Sequence, residues 1–247
     1  MKARLIATVL VAVATTTAAA KAAPITLYGN SEQPPKAWLD KDTPRGFGID
    51  VAVEVLKRAG FDVTISLAPF ARAMEQTKQG GIMTGVFYNA ERAKFLDYSE
   101  PLFYEDVVAV VAKGKEFPLE KASDLAGKKV CVQPALFYGD DFAAASGQLA
   151  LENDTSPSAR LKKLAAGRID VAMLNPGRAA FISSAAEAGL SEDGFTVLPK
   201  PLARLSNHLV VGKGVAGGAD ILARVNKVIA EATADGTIGK IMAKYDQ

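Results

Sequence analysis

Histidine, cysteine and tryptophan each occur once in the 247 residues, as His208, Cys131 and Trp38. A single histidine argues against a histidine-based metal cluster and leaves little for a nucleophilic triad, so neither a metal nor another cofactor is expected. A single cysteine excludes an intrachain disulfide. Cys131 sits in the apolar run Lys129-Val130-Cys131-Val132 and reads as a small buried core residue. Charge of one sign is also missing: 29 basic residues face 27 acidic ones, a net of +2. No basic stripe interleaved with aromatics occurs, which argues against nucleic acid as a partner. The chain contains no internal repeat and no low-complexity tract. What remains is 49% hydrophobic and 23% charged, the balance of a globular protein with one large or two small cores.

The N-terminus reads differently from the rest. Lys2 and Arg4 form a charged region, Leu5 to Ala14 an apolar one, and Ala18 to Ala22 a small-residue cleavage zone. Residues 1–22 are therefore expected to be a secretory signal peptide, cut after Ala22 or, as the rival site, after Ala20. Its removal takes away Lys2, Arg4 and Lys21 and leaves 26 basic against 27 acidic residues, a net charge of about −1. No cysteine follows the apolar region closely, so the expectation is an unanchored protein free in the periplasm.

Strand and helix patterns then alternate. Ile25 to Tyr28 reads as a strand, and Gly29 to Arg45 as a long loop of the kind that is functional or mobile. Asp50 is expected to cap a helix closed by Gly60. Val63, Ile65 and Leu67 alternate as a strand, and Ile82 to Val86 forms a short buried one. Val107 to Ala112 is apolar and β-branched, Ser156-Pro157 opens a helix, and Val171 to Leu174 is a further buried strand. This alternation points to an α/β protein with parallel, doubly wound sheets, which bind ligands outside the strands' carboxyl ends.

One stretch carries chemistry. After the strand Ile82–Val86 comes Phe87-Tyr88-Asn89-Ala90-Glu91, then Arg92. A planar guanidinium just past a buried strand suits capture of a carboxylate or phosphate by two parallel charge-assisted hydrogen bonds. Backbone N–H groups around Gly85 to Phe87 are placed to complete such an anion site. The plainer alternative is a solvated arginine paired with Glu91 or Asp97.

The same stretch, running on to Ser99, Glu100, Pro101 and Tyr104, resembles the extracytoplasmic solute-binding proteins of family 3. Three further runs support the resemblance in the family's order: Gly46-Phe47-Gly48-Ile49-Asp50-Val51, Ala126-Gly127-Lys128-Lys129-Val130, and Ala166-Gly167-Arg168-Ile169-Asp170-Val171-Ala172. The resemblance implies the two-lobed periplasmic binding protein fold (type II), with two doubly wound sheets joined by a two-stranded hinge near Ala112 and Leu202. Lobe 1 is then 23–112 plus 203–247, and lobe 2 is 113–202.

It also implies a monomer that binds a small carboxylate-bearing solute, an amino acid or a derivative, and passes it to an ABC permease in the inner membrane. On the matching positions, Arg92 holds the carboxylate beside Gly85 and Phe87. Phe70, Phe87 and Tyr138 wall the solute, Glu32 lies in the first pocket wall, and the loop that carries Tyr138 supplies donors through its backbone or the Tyr138 hydroxyl. Asn175 stands where members that bind α-amino acids carry an aspartate for the ligand ammonium. Either Glu32 supplies that charge, or the solute is not a simple α-amino acid. A lyase of the same fold, related to cyclohexadienyl dehydratase, and a ligand-presenting sensory module are the competing readings, since fold alone does not fix function.

Overall fold

The computed structural model describes residues 24–245, so the expected signal peptide, residues 1–22, lies outside them. The chain enters through β1 (Ile25–Asn30). The stretch expected to be one long loop instead folds into three short antiparallel strands, β2 (Glu32–Gln33), β3 (Ala37–Asp40) and β4 (Thr43–Arg45). Lys41 and Asp42, with φ of 47° and 70°, supply the two left-handed residues that turn β4 back onto β3. Helix α1 (Phe47–Arg58) follows, three residues ahead of the cap expected at Asp50. It starts there because Gly46, at φ 129°, lets Phe47 and Gly48 donate to the carbonyls of Pro35 and Lys36. A Cβ at Gly46 would lie 2.0 Å from the Lys36 carbonyl oxygen, so only glycine fits. Asp50 sits in the first turn, where its carboxylate suits the helix dipole and accepts from the Tyr245 hydroxyl at 2.6 Å.

The first sheet is built from β5 (Val63–Ala68), β1 and β6 (Ile82–Phe87), all parallel, with α2 (Phe70–Lys78) crossing between β5 and β6. β7 (Leu96–Tyr98) leads into β8 (Phe103–Ala112), which leaves this lobe. The second sheet places β9 (Lys129–Val132) between β10 (Ala150–Asn153) and β11 (Val171–Leu174), again parallel. Its helices are α3 (Asp140–Ala145), α4 (Pro157–Ala165) and α5 (Gly177–Ala188). As expected, the Ser156 hydroxyl caps α4, accepting from Ala159 N at 3.1 Å, with Pro157 in the first turn. After β12 (Phe195–Val197), β13 (Ala203–Gly212) returns to the first sheet, and α6 (Gly218–Ala234) and α7 (Thr237–Met242) pack there.

Each sheet has a core on both faces. In the first, Leu27, Val51, Val55 and Ile229 fill one side, and Phe70, Met74, Met83 and Val210 the other. In the second, Val107, Val130, Phe142 and Met173 face Cys131, Leu161, Ala172 and Phe181 across the sheet. The fold is therefore the α/β, periplasmic-binding-protein-like one that the sequence implied, with antiparallel return strands making each sheet mixed.

β8 and β13 join the lobes. Phe103–Val107 pairs with Ala203–Asn207 as a two-stranded ribbon. Beyond it, Val108–Ala112 pairs only with β11 and β12, while Asn207–Gly212 pairs with β6 and β7. The outer half of β8 belongs to the second sheet, so the pairing of β8 changes partner at about Val107, upstream of the crossing expected near Ala112. On this pairing we propose lobes divided at the ribbon 103–107/203–207.

Candidate functional site

The segments just past the carboxyl ends of β6 and β9 meet through Arg92 and Ala135, in the region where doubly wound sheets bind ligands. Arg92 starts a short 3-10 turn just beyond β6, in a loop held by the Asn89 side chain, whose oxygen accepts from Glu91 N at 2.9 Å and Arg92 N at 3.1 Å. Its guanidinium is half-buried and lies 5.1 Å from the centre of the Phe70 ring. One nitrogen, Nη2, donates to the Ala135 carbonyl of the second lobe at 2.9 Å, and Nη1 reaches the Phe87 carbonyl at 3.4 Å. Burial pushes the Arg92 guanidinium down from its ordinary range, with the Tyr98 phenol opposing that push. No carboxylate pairs with Arg92 among the described ion pairs, so the surface-paired alternative does not hold. Glu91 pairs with Lys94, and Asp97 lies near Lys213.

Phe70, Gly85 and Phe87 gather with Arg92. Phe70 opens α2 and is 5% exposed, packed in the core with Met74 and Met83 beneath the Arg92 guanidinium. Gly85 has φ 76°, a left-handed conformation that breaks the regular strand just before Phe87. Phe87 is buried, and its ring carries the Lys36 ammonium 4.7 Å from its centre.

Two expected residues stand apart. Glu32 lies in β2, half-buried on the rim, where it lines an interlobe cavity of about 530 Å³ with Trp38 and Lys41 on one side and Thr155, Ser183 and Glu187 on the other. Burial alone pushes its carboxyl up. Tyr138 does not wall the cleft. It is 3% exposed in the second core, against Phe142 at 5.2 Å, and its oxygen accepts from Gln133 N at 2.8 Å. The expectation of a ligand-facing Tyr138 is corrected accordingly: the ring braces the Gln133–Ala135 loop from behind. Asn175 directly follows β11, 3% exposed, with Nδ2 lacking a partner among the described residues.

The sequence reading missed a buried charged pair beside Gly85 and Phe87. Lys36, 2% exposed, reaches past Gly48 and Gly85 to place Nζ 2.8 Å from Glu105 Oε2 and 3.4 Å from Asn207 Oδ1. Glu105 and Asn207 sit on the two strands of the connecting ribbon. Burial pushes the Lys36 ammonium down, the Glu105 carboxylate opposes that, and Arg92 adds to it. The available signal was Glu105-Asp106 interrupting an otherwise apolar strand, since a carboxylate there needs a partner.

The model of the bacterial extracellular solute-binding proteins, family 3, matches residues 25–247. The L-cystine-binding protein TcyJ of Escherichia coli (strain K12) is 24% identical over 203 residues, covering 81% of this chain and 73% of that protein. The putative amino-acid ABC transporter-binding protein PatH of Vibrio harveyi is 29% identical over 221 residues, covering 85% and 84%. Among solved structures, an ancestral arginine-binding protein bound to arginine superposes with a TM-score of 0.76 at 22% identity, covering 92% of this chain and all of that one. At that identity the likeness speaks for the fold alone.

Proposed function

The chain belongs to the bacterial extracellular solute-binding proteins of family 3, and from that premise we propose that it is the periplasmic receptor of an ABC uptake system. It binds a small carboxylate-bearing solute, an amino acid or a derivative of one, between its lobes and hands it to an inner-membrane permease. The observation that carries this reading is Arg92, held on the Phe70 ring beyond β6 with one nitrogen on the Ala135 carbonyl across the cleft. A solute carboxylate arriving there takes both guanidinium nitrogens at once, the geometry a planar fork prefers. The N–H groups past Gly85 and the Ala135 N–H add uncharged donors from each lobe, since Gln133 N already donates to Tyr138 and Pro134 carries no N–H, so the bound acid draws the lobes together. Binding of this kind needs no bond to be made or broken. The protein acts as a monomer, free in the periplasm, and returns its solute unchanged.

Thermal-shift screening of amino acids, their derivatives and other small acids tests this. A true solute at a hundredfold excess over its dissociation constant adds about 2.7 kcal/mol of stability. A binding stoichiometry of one, with the solute recovered intact by mass spectrometry, is the expected outcome. Turnover of the solute, or no carboxylate ligand at all, overturns it.

A further inference from the structure

Lys36 brings a buried ammonium group against Phe87 and Gly85, within electrostatic reach of Arg92, and its surroundings hold it in place. Its carbonyl accepts from Gly48 N at 3.0 Å. Its side chain runs through space that two glycines leave open: a Cβ at Gly48 would lie 2.8 Å from Lys36 Cγ, and one at Gly85 would lie 3.6 Å from Cε. The ammonium then meets an aromatic face at Phe87, a carboxylate at Glu105 and an amide oxygen at Asn207. These are the three groups that would otherwise receive an ammonium from a solute. Asn175, at the end of β11, offers an amide and no charge.

A solute ammonium arriving beside Arg92 would therefore meet two cations, Lys36 and Arg92, and one almost wholly buried carboxylate among the described residues, Glu105, already engaged at 2.8 Å. Glu32 and Glu187 line the interlobe cavity farther out. The groups left without partners ask for something else. Because Lys36 Nζ only donates, Asn207 turns its oxygen to it and leaves Nδ2 as a buried donor without an acceptor, and Asn175 Nδ2 is in the same condition. Glu105 keeps one oxygen, Oε1, unpartnered, which a neutral hydroxyl or amide N–H satisfies.

We propose that Lys36 sets the charge class of the solute: a carboxylic acid whose other polar groups are uncharged, such as a 2-hydroxy acid or an N-acylated amino acid, in preference to a zwitterionic α-amino acid. The inference rests on the carboxylate-receptor reading above and narrows it to derivatives without an α-ammonium. Arg92 takes the carboxylate, the Lys36–Glu105 pair is neutral as a unit, and the solute's single negative charge balances Arg92.

The test measures binding by calorimetry for a set of amino acids, each with its N-acetyl and 2-hydroxy counterparts. Wild type is expected to bind one of the uncharged-end forms at least tenfold more tightly than the parent amino acid. Lys36→Met frees Glu105 and is expected to swing preference toward the amino acid. If that variant does not fold, the neutral double variant Lys36→Met/Glu105→Gln is expected to lose most of the discrimination. Tighter binding of parent amino acids by wild type, still dependent on Arg92, overturns the charge inference alone. Discrimination unchanged in the double variant overturns it too. Failure of every carboxylate to bind, or binding indifferent to Arg92→Ala, removes the receptor reading beneath it.

Discussion

Arg92 of the first lobe donates through Nη2 to the carbonyl oxygen of Ala135 in the second, 2.9 Å away. Ala135 presents that carbonyl from a φ of 60°, a left-handed conformation that costs a residue with a Cβ about 1–2 kcal/mol. The loop is held in this shape by the buried Tyr138 oxygen on Gln133 N, so donor and acceptor are both positioned before any solute arrives. The guanidinium thus links the two walls, and it is the group proposed above to anchor a solute carboxylate.

Truncating that anchor gives the first prediction. Arg92→Ala is expected to weaken solute binding by roughly 2–5 kcal/mol, the usual cost of removing one partner of a desolvated charge pair. Arg92→Lys recovers only part of it, because an ammonium lacks the planar fork. The unfolding midpoint of the free protein moves little, since the side chain is half-buried and outside both cores. Calorimetry showing an Arg92→Ala affinity within a factor of three of wild type removes Arg92 from the site.

The second prediction concerns stability at Lys36 and Glu105. Both side chains are almost wholly buried and pair at 2.8 Å, so removing either strands the other without its counter-charge. Lys36→Met and Glu105→Leu are each expected to cost about 3–5 kcal/mol, while the double variant costs much less than their sum. Denaturant melts of the four proteins measure the coupling. Simple additivity would mean the pair is not a unit.

This pair also marks where reading the sequence runs out. That Arg92 lies with Phe70 and Phe87 at the end of β6 is legible because each is within a few residues of a strand or helix end, where local pattern carries the geometry. Lys36 and Glu105 are 69 residues apart and meet only after the ribbon forms, so no local period announces them. The change of partner within β8 is silent for a related reason: Val107 to Ala112 is evenly apolar, and nothing in it marks Val107 as the last residue paired with β13 before Val108–Ala112 pairs with β11 and β12. Tyr138 shows a third limit. An aromatic in a loop before a helix reads alike whether it faces a ligand or the core beneath the loop, and here burial of the ring decides for the core.

The third prediction is a pH effect at His208, on β13. The ring is buried against Tyr98 at 5.4 Å, its Nδ1 lies 2.7 Å from the Ser99 carbonyl and its Nε2 lies 2.7 Å from Ser206 Oγ. Burial pushes its pKa down, with the Ser99 hydrogen bond and the Glu100 charge opposing. The unfolded chain therefore takes up a proton first, near the ordinary value of about 6.5. The stability this neutral ring contributes is fully present above that pH and is lost as pH falls through the lower folded-state pKa. Melting midpoints from pH 8 to pH 5 are expected to fall more steeply for wild type than for His208→Gln. Parallel slopes would assign the acid sensitivity to other groups.

The last prediction uses Asn175 and Glu32 to read the solute's charge from the opposite wall. Asn175 is 3% exposed at the end of β11, and Glu32 is half-buried on the rim with no cation pairing it among the described ion pairs. If the Lys36–Glu105 pair is neutral and the solute carries one carboxylate, Asn175→Asp puts a second, uncompensated carboxylate into the closed cleft. Binding of the native solute then falls by at least tenfold, or about 1.4 kcal/mol. A parent α-amino acid loses less or gains, because its ammonium finds the new charge. Glu32→Gln changes the native affinity by less than a factor of three, since a rim carboxylate in reach of water contributes little to a cleft it does not close. Titrating both variants with the native solute and its α-amino counterpart separates the two cases. Tighter native binding in Asn175→Asp, together with a large loss in Glu32→Gln, would show that the solute brings an ammonium after all and that Glu32 is its counter-charge.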